Sequence, residues 1–209
     1  MKKVILTILI ILNQLYAGLI SIPDDYQTIQ MGINAAADGD TVLVYPDVYI
    51  ENLIIDKSIT LAGIFLIDGD PSNIENTVIN GSSPQDDALG STIFITPPIG
   101  GFNSQPQIIG LTVFGGSGTQ FTDTFGFLHS AGGGVFIHNC TPTLNYVHFK
   151  NNGFNEATSN RVDMGGAIYI SIDEGITFDH LNSYSPWIGP YIQSRDEIDL
   201  DWCQFENNL

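Results

Sequence analysis

Short apolar runs, each closed by Gly, Pro, Asn or Asp, recur along the chain: 41–45, 53–55, 59–61, 77–79 and 93–96. Runs of this length between turn residues predict β-strands. One segment has a helical period. In residues 26–37, YQTIQMGINAAA, Tyr26, Ile29, Ile33 and Ala36 or Ala37 share a face, and Asp38-Gly39-Asp40 ends the pattern. No later segment keeps that period over three turns. The expectation is a single short helix at the start and strands thereafter, which excludes βαβ architectures.

The apolar positions also repeat over longer distances. Segments 108–116 (IIGLTVFGG), 144–152 (LNYVHFKNN), 178–186 (FDHLNSYSP) and 200–208 (LDWCQFENN) share one register, offset by 36, 34 and 22 residues. Its first apolar positions are Ile108, Leu144, Phe178 and Leu200, and its second are Leu111, Val147, Leu181 and Cys203. GGGVFI at 132–137 recurs as GGAIYI at 165–170, offset by 33. A basic repeat of roughly 22 residues with loops added is one turn of a solenoid of strands. Val147, Leu181 and Cys203 should then stack in one interior column. Asn at the turns accepts left-handed backbone, and stacked Asn side chains can hydrogen-bond along the axis. Segments such as 117–131 and 153–164 read as insertions into coils.

Residues 22–63 carry a more specific signal: Gly39-Asp40-Thr41-Val42, Pro46, Tyr49 and Glu51, then Ile55, Lys57, Ile59, Thr60, Leu61 and Gly63. This resembles the N-terminal entry segment of the pectin lyase-like superfamily, with Asp47 where that family usually has Gly. The segment TVINGS at 77–82 is similar to the family's next strand. The resemblance implies an all-β fold: a right-handed parallel β-helix (solenoid) with a short N-terminal capping helix. It says little about activity, since such a fold hosts many.

The first 17 residues place Lys2 and Lys3 before an apolar stretch from Val4 to Leu12, with Ala17 at a cleavage point. That is the layout of a secretory signal peptide. The expected organisation is therefore a signal peptide over 1–17 and a β-helix domain over 19–209. The chain stops at Leu209, after the last Asn-type turn, so the domain reads as truncated at its C-terminal end. The expected location is secreted or cell surface, with no membrane insertion after signal removal.

Charge narrows the partners. The chain has 6 Lys+Arg against 23 Asp+Glu, a formal net charge of −17. Loss of Lys2 and Lys3 with the signal would move it to −19. Binding to nucleic acid needs basic residues in number and is excluded. Polysaccharides, cell-surface proteins and divalent cations stay open. Cys140 falls near a turn and Cys203 inside the repeat core; they read as small buried hydrophobes or, outside the cytoplasm, as a possible pair.

Candidate chemistry is sparse. The segments that carry catalysis in pectin methylesterases and polygalacturonases are missing. The mature chain offers a lyase base only in Lys57, Lys150, Arg161 or Arg195, and Lys57 belongs to the entry motif. His148 and His180 each follow the second apolar position of their copies, so both should point outward, where they could form a metal or ligand pair. His129 and His138 have no assignable partner. Glu197, Asp199 and Asp201 alternate with Ile198, Leu200 and Trp202, a strand with one carboxylate face, and Asp68 and Asp70 flank a glycine. Such oxygen donors suit Ca²⁺. Tyr146, Tyr184, Trp187, Tyr191 and Trp202 are candidate sugar-stacking rings. Tyr184, Trp187 and Tyr191 lie in SYSPWIGPY, which Pro186 and Pro190 stiffen.

Two functions follow as expectations. The first is a non-catalytic secreted or cell-surface β-helix module for adhesion or for carbohydrate or partner binding. The alternative is a polysaccharide lyase or pectinesterase-like enzyme acting on acidic glycans.

Overall fold

A computed structural model describes residues 17–98, 104–122, 125–153, 162–164, 166–171, 199–201, 203–206 and 208. The fold is mostly β, and its strands pair mostly in parallel. Helix α1 (Ile29–Ala35) opens it. Thr28 caps that helix, its hydroxyl accepting from the Met31 N–H at 3.2 Å. Two residues of the entry motif hold its ends. Glu51 accepts from the free N–H groups of Ile29 and Gln30, and the Lys57 ammonium donates to the carbonyls of Ile33, Asn34 and Ala36. Each charge has the sign that its helix end favours. The buried face, Ile29, Gly32 and Ile33, closes one end of the main core.

Three parallel ladders follow. The first joins β1 (Leu19–Ile22), β2 (Thr41–Val44), β5 (Thr60–Gly63), the first half of β9 (Gln107–Phe114), the first half of β13 (Thr143–Lys150) and β16 (Asp199–Asp201). The second joins β3 (Asp47–Ile50), β6 (Thr77–Asn80), the second halves of β9 and β13, and β17 (Gln204–Glu206). The third joins β4 (Leu53–Ile55), β8 (Ile93–Ile95), β12 (Val135–His138) and β15 (Ile168–Ser171). The chain visits the ladders in this order, then returns to the first. The corner between the first two falls at Gly110 in β9 and at Tyr146 in β13, with φ of +66° and +54°.

Inward residues form columns. Leu61, Ile108 and Leu144 are in register, as are Ile79, Val113 and Phe149, and Ile93 and Val135; all are fully buried in one core. The pairings Leu144 with Ile108, Leu144 with Leu200 and Phe149 with Phe205 reproduce the register read from sequence. So do Val135 with Ile168 and Phe136 with Tyr169. Asn151 takes left-handed backbone at φ +53°. Next to it, Asn152 and Asn208 bond along the axis, Nδ2 to Oδ1 at 3.1 Å.

The structure bears on three expectations. The places on either side of β13 are taken by β9 and by β16 and β17, which brings the copy with Cys203 next to the copy with Val147. The 178–186 segment itself lies outside the described residues. The helix at the start is not alone: α2 (Phe65–Asp68) and α3 (Ser72–Asn76) stand between β5 and β6. At four and five residues they are too short to show a period and are held by packing, with Ile74 buried. Finally, the expected insertion at 117–131 is a hairpin, β10 (Gly118–Thr122) and β11 (Leu128–Ala131), in a side sheet with β7 (Leu89–Gly90) and β14 (Val162–Met164). Phe121 and Ala131 of this hairpin pack with Phe94 and Phe136 into a second core over the outer face of the third ladder.

Cys140 and Cys203 carry free thiols. Cys140 is buried beside Ser104, Sγ to Oγ 3.1 Å, and burial pushes its pKa up to about 11. Cys203 is half-buried against the core and donates to the Leu144 carbonyl at 3.3 Å. Residues 1–16 lie outside the described set; among the described residues no helix is long and apolar enough to cross a membrane.

Candidate functional site

Side chains on a strand alternate between faces. On the second ladder Tyr49, Ile79, Val113 and Phe149 point into the core. Their neighbours therefore point outward in two rows along the stack. One row is Val48, Val78, Thr112, His148 and Gln204; the other is Ile50, Asn80, Phe114, Lys150 and Glu206.

Helix α3 covers part of the first row. Thr112 is buried beneath it and donates from Oγ1 to the Ile74 carbonyl at 2.8 Å. The rest is open: Val48 and Ile50 are 55% and 64% exposed. An open cleft of about 270 Å³ lies between the helix and the second row. Val48, Val78 and Phe114 form its apolar surface, and Glu75, Asn80, Thr112 and Lys150 supply its polar groups.

An ionic network closes one end. Glu75 on α3 sets Oε1 3.0 Å from His148 Nδ1, and its Oε2 accepts from Lys150 Nζ at 2.5 Å. Glu206 Oε2 stands 3.8 Å from the same ammonium. The hydrogen bond from Lys150 holds the Glu75 carboxyl below the usual carboxylate range. Asn80, which lines the cleft, accepts through Oδ1 from the Ser82 N–H at 3.0 Å.

The structure brings His148 into this site but not as an exposed ring. It points away from the core, as expected, yet it is only 8% exposed because α3 and Glu75 cover it. Its ladder neighbours are Thr112 and Gln204. His180, Tyr184, Trp187, Tyr191 and Glu197 lie outside the described residues, as do Trp202, Arg161 and Arg195. Asp199 and Asp201 do stand on a strand, opposite Thr143 and Asn145. Among the described residues no group of three or more His, Cys, Asp or Glu could hold a metal ion.

Other candidates have structural partners. Asp68 and Asp70 accept from the N–H groups of Asp70 and Ser72 and so shape the turn into α3. Tyr146 packs its ring on Phe65 of α2, centroids 4.8 Å apart, so it is no exposed platform. His129 stacks on Phe121 at 5.2 Å, and His138 Nε2 lies 3.2 Å from Asn139 Nδ2.

Sequence reasoning did not single out Glu75, Asn80 or Phe114. The alternation in TVIN at 77–80 placed against 111–114 carries the signal for the last two. Glu75 sits in a short insertion whose position no periodicity reveals. No family model matches the chain, and no curated protein or solved structure matches it either.

Proposed function

We propose that the chain is a right-handed parallel β-helix of the pectin lyase-like kind, exported by its N-terminal signal, that acts as a non-catalytic secreted or cell-surface module binding glycans. The repeated visiting order of the three ladders supports the fold, and parallel strands joined by crossovers favour the right hand. The entry motif supports the kinship: Glu51 and Lys57 clamp the capping helix at both ends.

The observation that carries the binding role is the cleft. It joins an aromatic ring and aliphatic side chains to a few placed polar groups, the usual make-up of a ligand site. Phe114 offers a flat face to sugar C–H groups, and the Asn80 amide offers donors to hydroxyls.

The same geometry argues against a lyase working here. A lysine base needs a free amine lone pair, whereas Lys150 is engaged as a donor between Glu75 and Glu206. The experiment is a screen of the exported protein against immobilised glycans, run with wild type and Phe114→Ala. Unsaturated products from pectate and alginate with Ca²⁺ should be followed in parallel. Retention that Phe114→Ala weakens at least fivefold, with no product formed, is expected. Turnover lost on replacing Lys150 would overturn the non-catalytic reading.

A further inference from the structure

We infer that the cleft selects uncharged glycans and rejects uronate polymers; this rests on the glycan-binding reading above. A site for uronates needs cations free to meet carboxylates. Lys150 is the one cation among the cleft's residues. Its ammonium already donates to Glu75 and faces Glu206, so two carboxylates share one positive charge. The three groups together carry a formal charge of −1, inside a chain of net charge −17.

An incoming carboxylate would therefore meet like charge at close range. It would also approach against the field of the whole molecule. A hydroxyl-bearing neutral sugar meets neither barrier. It can pack its C–H face on Phe114 and accept from the Asn80 amide, neither of which depends on charge. Lys150 thus serves as a structural cation that ties α3 to the ladder through Glu75, not as a carboxylate receptor.

The rows fix the shape of the ligand too. Parallel strands repeat every ~4.8 Å. From the rung of Val48 to that of Lys150 are three steps, about 14 Å. The cleft runs along the stack rather than along a strand, which suits a linear oligosaccharide lying across several rungs.

The test measures dissociation constants for two sets of probes on the full exported chain. Cellohexaose, xylohexaose and mannohexaose are the neutral set; hexagalacturonate and a mannuronate hexamer are the anionic set. Wild type is compared with Glu206→Gln, in 50 mM and 300 mM salt. A neutral hexamer should bind at least tenfold tighter than either uronate. Glu206→Gln should narrow that ratio about three- to tenfold, as expected for removing one charge several ångströms from the ligand. Higher salt should narrow it as well. Tighter binding of a uronate than of every neutral probe would overturn the selectivity while leaving glycan binding intact. If no probe of either set binds, and Phe114→Ala changes nothing, the binding reading itself falls. A ratio that Glu206→Gln and salt both leave unmoved would show that charge does not set the preference.

Discussion

Asn152 gives the sharpest test of how the stacked strands hold together. It is 1% exposed and makes three side-chain hydrogen bonds. Its Oδ1 accepts from the Gly116 N–H at 3.2 Å, and its Nδ2 donates to the Val113 carbonyl at 2.9 Å and to Asn208 Oδ1 at 3.1 Å. Asn152→Ala would leave the Gly116 N–H facing a small void without its partner and would take one donor from the Val113 carbonyl, which stays in the β9–β13 ladder. An orphaned buried group costs about 1–3 kcal/mol, and the lost bonds to the Val113 carbonyl and to Asn208 add about 1 kcal/mol between them. The expected loss is about 3 kcal/mol, which for a domain of this size lowers Tm by roughly 6–12 °C. Urea unfolding followed by far-UV circular dichroism measures it directly. Asn152→Asp should be no better, because it turns a carboxylate oxygen toward the Val113 carbonyl. Asn34→Ala is the control: its one side-chain bond, to Gln30, is exposed, so the change should stay within about 0.5 kcal/mol. A loss below 1 kcal/mol for Asn152→Ala would refute the idea that bonded asparagines carry stability along the stack of strands.

Gly116→Ala should be as damaging for a different reason: a Cβ there would overlap the Gly133 carbonyl oxygen and sit 2.6 Å from the Thr92 nitrogen, both backbone. A loss of about 3 kcal/mol or more in the same urea assay is expected. His138 is kept neutral by burial, its pKa pushed down from 6.5 to about 4. The unfolded chain takes up that proton first, so stability is full above about pH 6.5 and falls as pH drops toward 4, by about 3 kcal/mol in all. His138→Phe should flatten that part of the pH profile. The Glu75 pKa is depressed, so its contribution is present at neutral pH and disappears as pH falls through its lowered value. Lys150→Met should raise that pKa toward the ordinary range, read by a carbon-detected NMR titration. Trp187 lies outside the described residues; if its ring stacks on a glycan, Trp187→Ala should weaken glycan binding by more than ~1 kcal/mol with Tm unchanged, and a fall in Tm without loss of binding would assign Trp187 to packing.

The interior was legible because it repeats. A column of apolar residues demands the same residue class at each rung, and that demand left its mark at 108, 144 and 200 and again at 135 and 168. The segment 178–186 carries Ser183 where the other copies have Val113, Phe149 and Phe205, and it lies outside the described residues. The outer face repeats nothing. Glu75 and His148 meet across 73 residues of sequence, and only the short helices between β5 and β6 bring them together. Those helices are formed by local turns at Asp68 and Asp70, whose carboxylates accept neighbouring N–H groups, so carboxylates that resembled metal ligands in sequence are turn-formers in the structure.

The outer faces differ because of what the insertions do to them. On the third ladder, the β10–β11 hairpin lays Phe121 over Phe94 and Phe136 and converts an outward face into a second core. On the first, Phe65 of α2 packs on Tyr146 at the corner. On the second, α3 covers Thr112 and His148, and Asn80, Phe114 and Lys150 line the cleft beside it. A flat ladder thereby gains one wall, and one wall on a row of outward side chains makes a cleft. The row itself changes along the stack, from Ile50 through Asn80 and Phe114 to Lys150 and Glu206, so apolar surface gives way to a ring and then to an ion pair. A ligand lying along it would meet its two ends differently and would bind in one direction. The rigid interior fixes the spacing, and a nine-residue span from Asp68 to Asn76 decides which face is left to recognise anything.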